Sequence, residues 1–533
     1  MRRSGCVLLV AGLLGCNAVL DIQEKQPGNA DGGSFVLSIA KPPPRPDGTA
    51  STLRVLRGAT GSVDLTVERS GGFAGTLAVL VSGLTRGITV DPLILPPSQS
   101  TGTLTIHAAG SAELGVSSLS ILGAHDNNFS NPLALPVLVQ DAPGALDLTF
   151  GTAGQVVLPV GPGGIGSGGI RLLPSGSFIL CGHAKSAGVD SSVAVSRVTA
   201  SGALDPTFAL GAGFALGNMM GSKADSCAAT FVRPNGGIVF TGIATPVAGQ
   251  PAAMMTARYR PDGFPDQNFG APVPGGFTAT PFDGTGAEGD SIVGPTENDT
   301  FVVGGFGQGS PALLRFSKNG VLDTAFGTEV AQELTAKGAI RALAQQADGS
   351  FVAAVESSTL LVARFDANGA LDKTFGDTGT KAVGVDTRAW KPAAVVVQPD
   401  DAILAVGTVT IGSGASDIGL ARLTRSGQLD STFGTAGLGT VHFAGASSAS
   451  SAVQSDGALI IAGQTPTDAG PAFTVLRMSG DGSLDMTFGT GGRQTLGVGM
   501  AQAVTVDDLG RILVAGFSGG ATEGNIVVYR LWP

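Results

Sequence analysis

Residues 34–141 alternate apolar and polar side chains over short stretches that are separated by turn residues. SVDLTVERS, GTLTIHAA and VSSLSILGAH are examples in which apolar residues tend to occupy every second position. Such alternation predicts half-buried β-strands. Roughly seven strands in about a hundred residues are typical of an immunoglobulin-like sandwich. We therefore predict this module at residues 34–141, although it lacks the Cys and Trp residues that mark antibody domains.

Residues 142–533 follow a second pattern, in which very apolar stretches recur between glycine-rich turns. FILCG, GIVFTG, ILAVG and ILVAG are such stretches, and each follows a turn such as Asn235-Gly236 or Asp456-Gly457. Asn-Gly and Asp-Gly pairs favour hairpins, because glycine tolerates a positive φ. The pattern predicts repeated units of four short antiparallel strands.

A sequence mark close to LDxTFG recurs about every 50–60 residues in this region. Full or nearly full copies begin at Leu146, Leu204, Leu322, Leu371, Leu429 and Leu484, and a degenerate copy, PDQNFG, begins at Pro265. We expect each mark to form the corner that carries one blade into the next. Leu and Phe would plug the space between blades, Asp would lock the turn and Gly would permit the bend.

An arginine precedes the aspartate of the mark by eight positions, with a glycine three positions before the aspartate. The pairs are Arg197 and Asp205, Arg258 and Asp266, Arg315 and Asp323, Arg364 and Asp372, Arg422 and Asp430, and Arg477 and Asp485. An arginine that leaves a strand and an aspartate that returns after a glycine turn predict a bidentate ion pair. An alternative is that these arginines line a central channel and bind an anion.

The two ends of the repeat region complete this series. Asp147 has no arginine before it, and Arg530 has no aspartate after it. A ring would bring these two residues together and would also remove exposed sheet edges, whereas an open solenoid would leave both unpaired. We therefore predict an all-β chain in which a seven-bladed β-propeller at 142–533 follows the sandwich.

The combination of LDxTFG, a QPDG-like turn and an ILVAG-like strand resembles the delta-60 repeat family. The resemblance covers about residues 145–533. It implies a propeller-like architecture in a secreted or surface protein, and it implies no catalytic residues. Ala209 stands where most marks have glycine, so this copy departs from the pattern of the family.

The first residues are typical of an export signal. Arg2 and Arg3 precede a short apolar run that ends in Leu-Leu-Gly-Cys at Cys16, and this run is too short to span a bilayer. The ending resembles the lipobox of bacterial lipoproteins, which implies a signal peptide at 1–16, lipidation of Cys16 and a tether at 17–33. Asn17 favours delivery to the outer membrane. Ordinary signal cleavage beside an incidental cysteine is the alternative.

Composition excludes some classes of partner. The chain has 31 basic and 41 acidic residues, and removal of Arg2 and Arg3 leaves 29 basic residues and a net charge of −12. Nucleic-acid binding requires a basic face, and no run of Lys or Arg exists here. An anionic membrane surface is disfavoured for the same reason. The 43% apolar content and mean hydropathy of +0.30 favour a folded core over disorder.

Two cysteines remain after Cys16 in the exported chain. Cys181 and Cys227 lie in strands of neighbouring repeats. An exported protein can keep a disulfide, so one interpretation is a bond between them. The other is a pair of small buried thiols.

Candidate chemistry is sparse, and we predict no cofactor, no metal site and no catalytic site. His107, His125, His183 and His442 lack metal-ligand spacing. The GxGxxG match at 161–166 precedes a strand rather than a helix, and the GxSxG match at 516–520 has no histidine after it. The DANG stretch at 366–369 lacks the later carboxylate of a calcium loop. Trp390 is expected in the core or, alternatively, at a rim where it stacks on sugars.

The sequence predicts a non-catalytic binding or scaffolding propeller, lipid-anchored at the outer membrane through Cys16 and facing the periplasm or the surface. The expected partner is an envelope protein or a glycan. The alternatives are a propeller enzyme of lactonase, lyase or hydrolase type and a structural surface or matrix component. Variable loops on a rigid ring are the places for specificity, and the candidates are Ala184–Ser191, Pro246–Ala253 and Thr408–Asp417.

Overall fold

The chain divides into two compact all-β units, with the boundary between Val137 and Leu138. The residues described by a computed structural model are 34–40, 52–159, 163–186, 189–218, 224–245, 251–270, 276–280, 286–327, 334, 338–384, 389–412, 414–443, 445, 447–518 and 524–533. Two single-turn 3-10 segments, Ala209–Gly211 and Glu297–Asp299, interrupt the strands. No helix in the described ranges is long and apolar enough to cross a bilayer. The predicted signal peptide, Cys16 and the tether lie outside them.

The first unit consists of two sheets, with strand orders β1-β3-β7-β5 and β2-β10-β8-β4-β6; β9 pairs with β8. Its strands are β1 (Ser34–Ile39), β2 (Leu53–Leu56), β3 (Thr60–Ser70), β4 (Leu77–Ser82), β5 (Ile88–Val90), β6 (Leu93–Leu95), β7 (Thr101–Ala108), β8 (Gly115–His125), β9 (Asn128–Phe129) and β10 (Leu133–Gln140). Alternate residues of the strands, such as Leu65, Leu104 and Ile121, are fully buried and form the core.

The strands of the second unit recur in sets, and the strands of a set, which we call first, second, third and fourth in chain order, pair antiparallel with their neighbours. Its first five strand sets are β12 (Gly163–Leu172), β13 (Phe178–Ser186), β14 (Val189–Val198), β15 (Phe214–Gly217); β16 (Ala224–Val232), β17 (Ile238–Thr245), β18 (Ala253–Tyr259), β19 (Phe277–Thr280); β20 (Glu288–Val293), β21 (Phe301–Gly307), β22 (Ser310–Phe316); β23 (Ile340–Gln345), β24 (Phe351–Glu356), β25 (Leu360–Phe365), β26 (Thr380–Val383); and β27 (Trp390–Val397), β28 (Ile403–Gly412), β29 (Ala415–Leu423), β30 (Leu438–Val441).

The last two strand sets share a long strand and include the first strand of the unit. Their strands are β31 (Ser448–Ser455), β32 (Ala458–Thr467), β33 (Gly470–Met478), β34 (Arg493–Val506), β35 (Ile512–Ser518), β36 (Asn525–Leu531) and β11 (Gln155–Leu158). The first part of β34 pairs with β33 and its second part pairs with β35. Strand β11 pairs with β36, so residues from the start of the repeat region complete the set at its end.

The mark does not carry the chain from one set to the next, and that part of the prediction was wrong. The mark at Leu204 lies between β14 and β15, and β15 pairs back onto β14 in the same sheet. The marks at Leu371 and Leu429 likewise join the third and fourth strands of their sets. The physical reason is the tight reversal after Phe, which returns the chain antiparallel to the strand that it has just left. Passage to the next set follows the fourth strand.

Antiparallel pairing gives each set two different ends. We call the end with the turn between first and second strands and with the mark the corner end. We call the opposite end, where the second strand leads to the third and the fourth leads to the next set, the loop end. Short connections of similar sequence lie at the corner end, and the connections of variable length lie at the loop end.

Each first strand carries a register shift against its second strand. In β20 the shift falls at Asp290, and in β23 it falls at Arg341. The corresponding residues of β16, β27, β31 and β34 are Ala228, Ala393, Ser450 and Gln502. A bulge takes a side chain out of the regular alternation, so Asp290 and Arg341 depart from the alternation of their strands.

Buried apolar residues of neighbouring sets form the core of the second unit. One cluster joins Phe150 and Val156 to Ile170 of β12 and to Val528 of β36, and it therefore spans the two termini of the unit. Trp390 is 2% exposed and packs with residues of β24 and β28. Trp390 is thus a core residue, and the rim interpretation was wrong.

Candidate functional site

The predicted arginine and aspartate residues meet at the corner end of each set. Nitrogen-to-oxygen distances between the paired side chains are 2.7–3.2 Å in all seven pairs. The aspartate amide also donates to the arginine carbonyl, at 2.8–2.9 Å. In six of the pairs the recurring spacing of eight residues therefore places a backbone bond and a side-chain bond between the same two residues.

The aspartate uses its other oxygen within the mark, so the expected bidentate pairing takes a one-oxygen form: Nε and Nη2 of Arg315 and of Arg364 both contact Oδ2 of the partner, at 2.7–3.0 Å. Its Oδ1 accepts the amide of the residue two positions later in every mark, at 2.8–3.1 Å. Where that residue is threonine, as at Thr207 and Thr374, the hydroxyl donates to the same oxygen. Such an Asx turn leaves only Oδ2 for the arginine. This role of the threonine was missed in the sequence, although the recurring Asp-x-Thr spacing is its signal.

The arginine side chain also reaches the next set. Arg197 donates to the Pro261 carbonyl at 2.8 Å, and Arg364 donates to the Arg425 carbonyl at 2.6 Å. The guanidinium of Arg364 lies 4.8 Å from the ring centroid of Phe375. The aspartate and the carbonyl accept from the guanidinium and the aromatic ring packs against it. These contacts argue against the alternative that these arginines bind an anion.

The glycine of each corner permits close approach to the preceding mark. Gly320 has φ 78°, and a Cβ atom there would lie 2.7 Å from the Phe269 ring. The same contact recurs across the two ends of the repeat region, where a Cβ on Gly144 would lie 2.7 Å from Gly489. Phe therefore lies against the next set, as expected, and only glycine fits opposite it.

The pair that joins the two ends of the repeat region is more buried than the others. Arg530 Nε lies 2.8 Å from Asp147 Oδ2, and the side chains are 4% and 0% exposed. Arg511 Nη1 lies 3.3 Å from the same oxygen. The main chain of fully buried Trp532 exchanges hydrogen bonds with Gly144 and Ala145, both at 2.9 Å. Arg511 also lies 2.7 Å from Asp507, so two carboxylates and two arginines meet where residues 383 positions apart come together.

Hydrogen bonds lower the pKa of several corner carboxyls. Arg315 donates to Asp323 and holds its pKa below the usual value. Thr432 and Thr487 do the same for the pKa of Asp430 and of Asp485. A lowered pKa in the folded state adds stability above the unfolded-state value of about 3.9, and this stability is lost as the pH falls through the folded-state pKa. The corner end therefore holds charged carboxylates at neutral pH.

The loop end holds a different cluster, which sequence analysis did not single out. Arg341 contacts Glu288 and Asp290 of the neighbouring first strand at 2.7 and 3.0 Å, and it contacts Glu356 at 2.7 Å. Asp290 and Arg341 are both bulge residues. Three carboxylates around one guanidinium leave an excess of negative charge. No fixed spacing in the sequence signals this cluster, because its members come from two sets.

Asp290 is the unusual member of this cluster. Its Oδ2 is buried and has no hydrogen-bond partner among the described residues. Burial raises the pKa of Asp290 to about 7, with Arg341 opposing the shift and the Glu288 charge adding to it. A carboxyl in this state exchanges a proton near neutral pH, as general acids and bases do.

A buried carboxylate and an exposed imidazole meet at the loop end of another set. Asp417 is 5% exposed and lies 2.9 Å from Nδ1 of His442, which is 72% exposed. A carboxylate only accepts, so Nδ1 of the imidazole donates to Asp417. Asp417 belongs to the predicted loop Thr408–Asp417, whereas His442 follows the fourth strand. Parts of the three predicted loops, including residues 187–188, 246–250 and 413, lie outside the described ranges.

The two cysteines form a disulfide between β13 and β16. Cys181 and Cys227 have Cα atoms 5.8 Å apart, and both side chains are buried. The bond joins neighbouring sets away from both ends, and it uses the sulfur that would have stood beside His183. The remaining interpretation, two free thiols, does not describe this structure.

The other sequence candidates occupy ordinary structural positions. His107 lies 2.9 Å from Asp91, and burial lowers the pKa of His183. The GxGxxG match runs into β12, and residues 160–162 lie outside the described ranges. Asp366 accepts the amides of its own turn, at Asn368 and Ala370. In the described part of the chain, no group of three His, Cys, Asp or Glu residues is arranged to hold a metal.

Three segments of the chain match a family described as a domain of unknown function (DUF5122) beta-propeller. The segments are 346–375, 398–433 and 454–488. Each segment begins at a turn between first and second strands and ends at the Phe of a mark. The match therefore covers the second strand, the third strand and the two corner-end connections of a set. The second unit is a β-propeller domain, and the propeller part of the predicted fold class is confirmed. No curated protein matches the chain.

Solved structures resemble the chain only distantly. A protein of unknown function from Dyadobacter fermentans is 12% identical, with 71% of this chain and 97% of that chain covered and a TM-score of 0.40. An ulvan lyase is 10% identical, with 70% and 96% covered and a TM-score of 0.39. The NanB sialidase from Streptococcus pneumoniae is 10% identical, with 89% and 84% covered and a TM-score of 0.32. These similarities carry no argument about the activity of this chain.

Proposed function

We propose that this chain is a lipid-anchored envelope protein in which an immunoglobulin-like unit is followed by a seven-bladed, non-catalytic propeller that binds a partner at its loop end. The observation that carries the proposal is the difference between the two ends of the strand sets. At the corner end the arginine and aspartate side chains pair with one another in every set. The side chains at the loop end differ from set to set, as Arg341 and His442 show.

A closed ring of seven blades is supported by contacts that return to their start. The first strands β12, β16, β20, β23, β27, β31 and β34 each contact the next in this order, and β34 contacts β12. The pairing of β11 with β36 and the contact between Asp147 and Arg530 support the same closure. Such a ring holds its loops in fixed positions, which favours binding because little conformational freedom is lost.

The proposed partner is an envelope protein or a glycan, and the proposed anchor is a lipid on Cys16. Arg2 and Arg3, the short apolar run and the following cysteine support export and lipidation. The excess of acidic residues opposes nucleic acid as a partner. Incorporation of a labelled fatty acid into the intact chain, lost in C16S, tests the anchor. Unchanged labelling of C16S contradicts it.

Binding is tested with a glycan array and with crosslinking to envelope proteins. The informative variant is H442A, because His442 is exposed and its loss leaves the core intact. The matched control is H107A, which removes a partly exposed histidine paired with Asp91 in the other unit. We expect H442A to weaken binding and H107A to leave it unchanged. Equal binding by both variants contradicts recognition at this part of the loop end.

A propeller enzyme is the second candidate, and the Arg341 cluster is the observation that favours it. Glu288, Asp290 and Glu356 converge outside the corner pairs, and Asp290 has a pKa of about 7. All three carboxylates contact Arg341, which restrains them and supports a non-catalytic role. An assay of lactone, polysaccharide and ester cleavage with the parent chain and D290N separates the candidates. Turnover that D290N abolishes would replace the binding proposal.

A further inference from the structure

The two sheets of the first unit present outer faces of opposite character. On β3 the outward residues are Thr60, Ser62, Asp64, Thr66, Glu68 and Ser70, which are all polar. On the other sheet the outward residues include Leu80 of β4, Ile94 of β6 and Phe129 of β9, which are 45%, 62% and 58% exposed. An antiparallel sheet normally turns polar residues to water, so the second face is the exception.

The strand register places these apolar residues side by side. Ile94 pairs with Ala78, Ala78 pairs with Ala124, and Ala124 pairs with Phe129, which makes one row across four strands. Leu80 and Leu122 pair in the adjacent row. We call the six residues Ala78, Leu80, Ile94, Leu122, Ala124 and Phe129 the apolar face. Three strand spacings make it about 15 Å wide, and it contains no charge.

We propose that the apolar face docks onto a zwitterionic lipid bilayer, to which the lipid on Cys16 brings it. The inference rests on the anchor in the proposed function. Cys16 precedes the first residue of β1, Ser34, by 18 positions, so even a fully extended chain keeps Ser34 within about 65 Å of the membrane surface. A tethered unit meets the bilayer at a high effective concentration, so a small apolar contact suffices.

The negative net charge of the chain favours a zwitterionic bilayer over an anionic one. The chain without Arg2 and Arg3 carries a net charge of −12, so an anionic surface repels it. The apolar face adds no charge of its own, so its burial removes apolar surface from water without the desolvation of a carboxylate or an amine. A second copy is a poorer occupant, because a patch of six residues is smaller than the 20–30 residues a side, on the order of 800 Å², that stable dimers bury.

The test replaces the acyl anchor, so that it does not depend on lipidation. The chain from residue 17 onward carries an amino-terminal histidine tag and is bound to phosphatidylcholine vesicles that contain nickel-chelating lipid and brominated acyl chains. F129W reports on the apolar face. V36W is the matched control, because Val36 is 59% exposed on the polar sheet. The natural residues Trp390 and Trp532 are buried in the other unit and give a constant background.

We expect bromine to quench the added fluorescence of F129W several-fold more than that of V36W. Adding I94D and L80D to F129W is expected to abolish the difference, whereas adding T60D and S62D is expected to leave it. All four of these positions are on outward faces, so circular dichroism of each variant is expected to match the parent. Equal quenching of F129W and V36W would overturn the proposal.

The occupant and the anchor are tested separately. If light scattering of the untagged chain finds a dimer that I94D and L80D dissociate, the occupant is a second copy and the proposal is wrong. Failure of fatty-acid labelling at Cys16, with quenching intact, would overturn the anchor but not the affinity of the face for lipid. Labelling without quenching would overturn only the docking.

Discussion

The corner end and the loop end of the propeller are built from the same strands, yet they use charge in opposite ways. At an internal corner the carboxylate of Asp372 accepts from one arginine and from the amide of its own turn, and its pKa is lowered. At the loop end Asp290 shares one arginine with two other carboxylates, and burial raises its pKa. The comparison teaches that charges at the corner end are paired and stabilise the fold, whereas the loop end holds a buried carboxyl with a raised pKa, as functional sites often do.

The largest expected effect is at the closing pair. Among the described residues, Asp147 is the one carboxylate within ion-pair distance of Arg530, and D147A leaves that buried guanidinium without it. We expect the free energy of unfolding to fall by about 3–5 kcal/mol, as measured by urea denaturation. The control is D262A, which breaks an ion pair with Arg260 whose two side chains are 52% and 50% exposed. A loss no greater than that of the control would show that closure does not depend on this pair.

A smaller loss is expected at an internal corner. R364K keeps the charge opposite Asp372, but it cannot also donate to the Arg425 carbonyl and lie over Phe375. We expect a loss of about 1–2 kcal/mol, with cooperative unfolding retained. R425K is the control, because Arg425 is 60% exposed. If both variants unfold at the same denaturant concentration, the bridge between neighbouring sets contributes little.

At the loop end the expected change has the opposite sign. A carboxyl with a raised folded-state pKa stabilises the fold when it is protonated, and this contribution falls as the pH rises from about 4 through 7. D290N removes this dependence, so we expect a gain of about 1–2 kcal/mol over the parent at pH 8 and no gain at pH 5. Thermal unfolding across this range measures it. A variant that is less stable at pH 8 would mean that the Arg341 contact outweighs burial.

The smallest effect is expected at the degenerate second mark. Ala209 has φ 51°, whereas Gly434 and Gly489 have φ 52° and 54° at the equivalent position. An alanine in this left-handed conformation is strained, so A209G is expected to stabilise the protein by about 0.5–1 kcal/mol. The reverse change, G434A, is the matched comparison and is expected to destabilise. A destabilised A209G would show that this corner has adapted to its alanine.

Much of the fold and of the corner end could be predicted from residue spacing. Strand alternation predicted an all-β chain, and the repeats predicted the propeller, because both depend on local periodicity. The contacts of Arg364 with Asp372 follow from a spacing of eight residues, which is short enough for one turn to bring the partners together. The predicted position of the mark, between one set and the next, was wrong. A repeat in the sequence shows the period of the strand sets but not the residue at which each sheet begins.

The loop end and the apolar face could not be predicted in the same way. Arg341 and Glu288 are 53 positions apart, and only the packing of two first strands brings them within 2.7 Å. Ile94 and Phe129 meet on one surface through the pairing of four strands. Neither arrangement repeats, so no periodicity reveals it.

The amino-acid sequence by itself determined the strands, the corner turns and the count of arginine and aspartate residues, because each depends on residues that are close along the chain. Tertiary structure alone decided that Arg530 shares Asp147 with Arg511, that Asp290 is buried beside like charge, and which side of each sheet faces water. The physical reason is that burial and the electrostatic environment of a group are set by neighbours in space, and chain separation carries no information about them.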